Sequence, residues 1–177
     1  MFFETHFQLI TKSIICLIVY ILLPSCSNQP SSSNPESYLN SKLALSKDIC
    51  ELSSARQRIL VFLDLRDCAS CQIKEMQFWD DFLYAFGHQK EDDCVDADMI
   101  FVVNISETEE LTQLFAQKND ICPIKVYYDS EDEVKSKNLL PDEHQYHCFL
   151  IDSRNRIELV GKPIFNSELF DKYLTAL

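Results

Sequence analysis

The chain has 177 residues, 46% of them hydrophobic, which suits one ordinary globular core with appended segments. Sixteen basic against 28 acidic side chains give a formal charge of -12, so nothing is available to neutralise phosphates and nucleic acid is excluded as a partner. Gly87 and Gly161 are the only glycines, too few for a glycine-rich phosphate cradle, which disfavours nucleotide chemistry.

The chain opens with the apolar stretch SIICLIVYILL, Ser13 to Leu23, after Lys12. It is too short to span a bilayer upright but has the length of an export-signal core. LPSC, Leu23 to Cys26, then resembles a lipobox, the bacterial motif cleaved ahead of a diacylated cysteine. The resemblance implies a lipoprotein signal peptide over 1–25 and lipidation at Cys26. The alternative is an uncleaved signal anchor in which Phe7 to Leu23 crosses the membrane at a tilt. Either way the remainder is exported. SNQPSSSNPES, rich in serine and proline, makes 26–36 a lipidated cysteine followed by a flexible tether, and the folded domain is expected over 37–177.

Within that domain, Tyr38 to Ala55 is expected to be helical, with Leu45, Ile49 and Leu52 on one face. Ile59 to Leu63 is a continuous apolar run of strand length, as in a central strand covered on both sides. Two cysteines follow at once, in DCASCQ. Gln72 to Phe86 then places Ile73, Met76, Trp79, Phe82, Leu83 and Phe86 at helical spacing, with Gly87 expected to end that helix. Met99 to Ile105 reads as a second buried strand, and SETE (106 to 109) as a capping box for a helix with Leu111, Leu114 and Phe115 inward. Pro123 to Asp129 alternates as a third strand, and an acidic, lysine-containing segment separates it from the next. HCFLID (147 to 152) and RIELV (156 to 160) flank SRN as a hairpin. Ser167 is expected to cap a closing amphipathic helix over 168 to 177. Strands joined by helices, finished by a hairpin and a helix, describe an α/β sandwich.

Export also sets how the cysteines are read, because disulfides persist in an oxidising envelope. With Cys16 assigned to the signal and Cys26 to lipid, there remain Cys50, Cys68, Cys71, Cys94, Cys122 and Cys148. Four of these lie outside the CxxC pair, and spacing leaves their connectivity open. Cys50 with Cys94 is one candidate bridge. Cys148 reads as apolar filler, or alternatively as a second redox partner.

A central strand running into CASC at a helix start, a late FLID strand, and the VGKPIF turn before the last helix resemble the thioredoxin fold, a three-layer α/β/α sandwich with a mixed central sheet. The extra strand PIKVYYD before YHCFLID resembles the TlpA/ResA branch, envelope-anchored relatives of the AhpC/TSA family. DCASCQIK and YHCFLIDSRNRIELVGKPIFNSELF are also similar to lipoproteins of Bacteroidetes. The resemblance covers about Arg58 to Leu177. It implies a membrane-anchored thiol–disulfide oxidoreductase that reduces protein disulfides, with Cys68 as nucleophile and Cys71 as resolver. No diffusible cofactor is needed; electrons would come from a membrane dithiol and leave to client disulfides. The physical warrant is that amide groups at a helix start stabilise the thiolate of Cys68, while Cys71 lies one turn on within bridging distance and is expected to be shielded by the helix. Asp64 and Asp67 are expected to raise the Cys68 pKa, which favours a reductant.

Three family features are absent. The facing cis-proline is Tyr146, making Tyr146 and His147 the expected substrate-facing loop; the tryptophan before the first cysteine is Asp67; and the buried polar residue on the preceding strand is Phe62. Without the proline, Cys68 and Cys71 could join His147 or His144 as a Cu(I) or zinc set, as in the Sco-type copper chaperones. A redox-inert binding module with a static Cys68–Cys71 bridge is the third reading.

Overall fold

A computed structural model of the chain describes residues 34–91 and 95–177. The expected signal peptide, Cys16, Cys26, most of the tether and Cys94 lie outside the described residues. The chain divides into Met1–Ser31 and a second unit, Ser32–Leu177, which holds the sheet.

The elements run α1 (Lys47–Leu52), β1 (Gln57–Leu63), α2 (Leu65–Glu75), α3 (Asp80–Glu91), β2 (Ala97–Val103), α4 (Glu109–Ile121), β3 (Lys125–Tyr128), α5 (Glu133–Lys137), β4 (Cys148–Asp152), β5 (Ile157–Val160) and α6 (Ser167–Ala176). Single 3-10 turns occupy Pro35–Tyr38, Met76–Trp79, His144–Tyr146 and Pro163–Phe165. The sheet order is β3-β2-β1-β4-β5, with β1, β2 and β3 parallel and β4 and β5 antiparallel to their inner neighbours. β1 pairs on both sides, and its run Ile59–Leu63 is apolar without a break because both faces of the sheet are covered there.

The two parallel steps, β1 to β2 and β2 to β3, move the same way across the sheet. Right-handed crossovers therefore place α2, α3 and α4 on one face, and the return from β3 to β4 carries α5 over the other. Period-2 alternation divides the strands accordingly. Val61, Leu63, Phe101 and Leu150 pack with Trp79, Phe82, Phe86, Leu111, Phe115 and Tyr173. Leu60, Phe62, Ile100 and Phe149 pack with Leu43, Ile49 and Val134. This is the expected thioredoxin-like architecture: a mixed sheet with helical cover on both faces.

Several local expectations are corrected. Of the helix expected over 38–55 only Lys47–Leu52 forms. The preceding segment instead lies along the outer edge of β5, with Leu43 N–H donating to Asn155 O and Ile157 N–H to Ser41 O, both at 2.9 Å. Covering an open sheet edge satisfies backbone groups that would otherwise stay unpaired. The helix expected to end at Gly87 is broken instead at Met76–Trp79, and its second half runs through Gly87 to Glu91. A Cβ at position 87 would stand 3.3 Å from Cys122 Cβ, so the glycine is used for close approach of α3 to the end of α4 rather than as a terminator. The cap of α4 is Thr108, whose Oγ1 accepts from Leu111 N–H at 3.3 Å. That of α6 is Asn166, whose Oδ1 accepts from Leu169 N–H at 3.0 Å. Each cap stands three residues ahead of the first core-facing leucine, the spacing at which a side-chain oxygen reaches an orphan amide.

Near the start of β2, Asp98 accepts from Lys90 at 2.9 Å, Lys125 at 2.5 Å and Ser53 at 2.7 Å, joining three segments. Burial raises its pKa, but hydrogen bonds from Lys125, Ser53 and Lys90 outweigh that and hold the carboxyl at about 2. The folded value lies below the unfolded one, so this contribution is complete above about pH 4 and is lost as pH falls toward 2. Asp98→Asn is expected to lower the urea midpoint at pH 6 and to flatten its dependence on pH between about 4 and 2. An unchanged midpoint at pH 6 would remove the clamp.

Candidate active site

The two cysteines sit where β1 ends, at the carboxyl edge of the parallel strands. α2 is kinked at Cys68, whose φ of -148° and ψ of 82° are not helical. The residue therefore has the extended backbone of an N-cap to the stretch that follows, a position near the positive end of a helix dipole. Cys68 and Cys71 form a disulfide with Cα atoms 5.3 Å apart. Cys68 is half-buried and its Sγ lies 3.8 Å from Ser70 Oγ. Cys71 is exposed, so the expected shielding by the helix does not occur. The cause is helical phase: the inward face is set by Leu65, Gln72 and Met76, and position 71 falls outside it.

The start of α2 is held by polar contacts that strand-and-helix patterning did not reveal. Asp64, at the end of β1, accepts from Asn104 Nδ2 and, at 2.6 Å, from Lys135 Nζ, and Leu65 N–H donates to Asn104 Oδ1 at 2.8 Å. Burial pushes the Asp64 carboxyl up, but Lys135 and Asn104 more than reverse this and hold it below its ordinary value. Arg66 pairs with Asp132 and with Ser130 O, tying the first turn of α2 to the segment ahead of α5. Asn104 and Lys135 carried no sequence signal beyond a polar residue at a strand end and a lysine in an acidic run.

Beside this turn lies a cleft of about 340 Å³, with Asp64, Asp67, Lys135, Leu139, His144 and His147 among its lining residues. His144 Nε2 stands 3.5 Å from Asp67 Oδ2. Tyr146 is half-buried, near Gly161. His147 is buried, its Nε2 is 2.7 Å from Pro141 O, and its ring meets that of His144 edge-on at 5.0 Å. Burial lowers its pKa, reinforced by His144, Lys162 and Lys135 and opposed by the bond to Pro141. The alternative ligand set of Cys68, Cys71 and His147 is not assembled: among the described residues no three His, Cys, Asp or Glu side chains are placed to hold a metal ion.

On the other side of α2, Lys162 Nζ is fully buried and donates to Glu75 Oε1 at 2.5 Å. This joins the helix that carries the cysteines to the turn before α6. Phe78 and Phe165 repeat the link one turn further on, with ring centroids 6.3 Å apart. Cys148 lies nearby with no exposure. Burial pushes its thiol up to about 12, although the Tyr173 hydroxyl hydrogen-bonds its Sγ at 3.4 Å. A thiol so raised is not a nucleophile at neutral pH, which favours the packing role for Cys148. With native protein at pH 8, iodoacetamide is expected to modify exposed Cys50 and to reach Cys148 only after unfolding, as read by peptide mass mapping. Modification of both at one rate would show that β4 opens in the native state.

No protein-family model and no curated protein matches the chain. Among solved structures it is similar to the thioredoxin domain of a thiol-disulfide oxidoreductase from Bacteroides vulgatus, at 12% identity over 77% of this chain and 97% of that one, with TM-score 0.48. It is also similar to a thiol:disulfide interchange protein from Bacteroides sp., at 13% identity over 77% and 90%, with TM-score 0.49. A third is StoA from Bacillus subtilis, at 15% identity over 66% and 83%, with TM-score 0.41.

Proposed function

We propose that the chain is a thiol–disulfide oxidoreductase of the cell envelope that reduces protein disulfides, held to a bacterial membrane by lipid on Cys26. The observation that carries this reading is the Cys68–Cys71 bridge at a helix start, at the carboxyl edge of the central strand, with Cys68 half-buried and Cys71 exposed.

In the reduced form the Cys68 thiolate, favoured by the amides beyond its N-cap position, attacks one sulfur of a client disulfide. That bond breaks, a mixed disulfide forms, and the first client sulfur leaves as a thiolate and takes a proton. Cys71, deprotonated, then attacks Cys68 Sγ; the mixed disulfide breaks and the second client thiol is released. Two electrons pass to the client, and the chain ends with Cys68 and Cys71 joined, the state the structure holds. A membrane dithiol restores the reduced form by the reverse sequence. Asp67 beside Cys68 opposes the thiolate and favours the reducing direction; Asp64 contributes less, since Lys135 neutralises it.

The test is equilibration of the purified chain with glutathione buffers, with the thiol state read by mass. A reversible two-electron transition confined to the peptide holding Cys68 and Cys71 supports the reading. A bridge that does not respond leaves a static module, and tight 1:1 binding in a Cu(I) competition titration would turn the assignment to metal delivery. The anchor is tested separately: palmitate incorporation in bacteria is expected for the full chain and is lost in Cys26→Ser.

A further inference from the structure

The cleft beside Cys68 has walls whose polar atoms are unequally satisfied. Its donors are largely engaged: Lys135 Nζ gives one N–H to Asp64, and Asn138 Nδ2 gives both of its own to Ala44 O and Val134 O. Its acceptors are less so. Asp67 and Asp142 stand exposed at the rim, and among the described residues Asp67 meets only His144 Nε2, at 3.5 Å. His147 is 4% exposed and lines the cleft, and its Nδ1 is buried without a hydrogen-bond partner. Its Nε2 faces a carbonyl, which only accepts. The proton therefore sits on Nε2, and Nδ1 presents a lone pair. A buried lone pair left unmatched has a cost that a ligand's N–H group removes. Leu139, Leu140 and Pro141 supply an apolar wall alongside, the surface on which the methylene stem of a long basic side chain rests while its charged head reaches polar groups.

We infer that this cleft receives a basic side chain of the client, arginine or lysine, lying within two or three residues of the client cysteine that joins Cys68. The inference rests on the oxidoreductase reading and names its substrate class. Asp67 precedes Cys68 in the chain, so a cation at the rim is one residue from the sulfur that bonds the client. The formal charge of -12 adds a long-range attraction for the same clients. Guanidinium suits the site better than ammonium, because its planar fork of donors matches a carboxylate with two bonds at once.

The experiment uses the reduced full chain and synthetic peptides with one cysteine, present as the mixed disulfide with glutathione. Arginine two residues from the cysteine on either side is compared with citrulline, its neutral isostere. The arginine peptide is expected to be reduced with about tenfold higher kcat/KM at low salt, a preference that shrinks at high salt. In Asp67→Asn/Asp142→Asn the arginine-to-citrulline ratio is expected to fall to within about twofold of unity. Equal rates for the two peptides in the wild-type chain overturn the inference while leaving exchange standing, and so does a preference that survives the double substitution. If no peptide is reduced, the oxidoreductase reading fails; binding of S-methylated versions to the disulfide form, followed by fluorescence anisotropy, still reads the cleft. Tighter binding of arginine than citrulline, lost in the double substitution, supports the inference, and equal binding overturns it.

Discussion

Cys71→Ser is expected to trap a client covalently on Cys68, while Cys68→Ser lowers the rate of disulfide exchange by about 10³-fold or more, the scale on which loss of a nucleophile is felt. The two substitutions are unequal because the sulfurs occupy unlike positions. Cys68 stands at the kink of α2 with non-helical backbone, where the second stretch of the helix begins, and the amide dipoles of that stretch favour its ionised form. Cys71 lies inside the helical stretch and gains less from them. Exposure points the other way, since Cys71 is the more open of the two. The trap decides between these influences. Non-reducing electrophoresis of each variant after incubation with an oxidised client, with the adduct located by mass, should show the mixed disulfide on Cys68. An adduct formed faster on Cys71 in Cys68→Ser would reverse the roles, and absence of any adduct in either variant would leave a static bridge.

Much of the architecture was legible because burial on both faces leaves a direct trace in sequence. Ile59 to Leu63 and Met99 to Val103 are unbroken apolar runs, and both are inner strands of the sheet. The CxxC pair was legible for a similar reason: its meaning depends on the strand before it and the helix after it, both of which are local. What escaped depends on partners distant in the chain. The segment before α1 gave up helix to follow the edge of β5, a choice set by residues 155 to 157. Gly87 looked like a helix stop because its reason for being glycine is Cys122, 35 positions later. Asp64, Asn104 and Lys135 converge from three elements, and no spacing rule links them. His147 was singled out from the sequence, but its commitment to Pro141 and its unmatched Nδ1 required coordinates. Cys71 shows a failure of another kind, for its helix was anticipated and its phase was not.

Glu75→Leu is expected to destabilise the native fold by about 3–5 kcal/mol, the cost of leaving an ammonium buried without its partner. Lys162 has no exposed side-chain surface, whereas the Glu75 side chain keeps 13% exposure. The two single substitutions are therefore not equivalent. Lys162→Met leaves behind a carboxylate with access to water, and its cost should be smaller, about 1–3 kcal/mol. In Glu75→Leu/Lys162→Met both charges are gone, and much of the larger loss should be recovered, because a buried pair stabilises little relative to apolar groups of like size. Urea unfolding of the oxidised chain at neutral pH measures all three. Additive effects in the double variant would show that the pair is not coupled. The consequence for the site is mechanical. The pair fastens α2, one turn beyond Cys71, to the turn that precedes α6, so the singly substituted chains should also lose amide-exchange protection along α2 before they unfold globally. Restoration of that protection in the double variant would separate the role of the ion pair as a fastening from its role as a buried charge, since leucine and methionine can pack across the same gap without either charge.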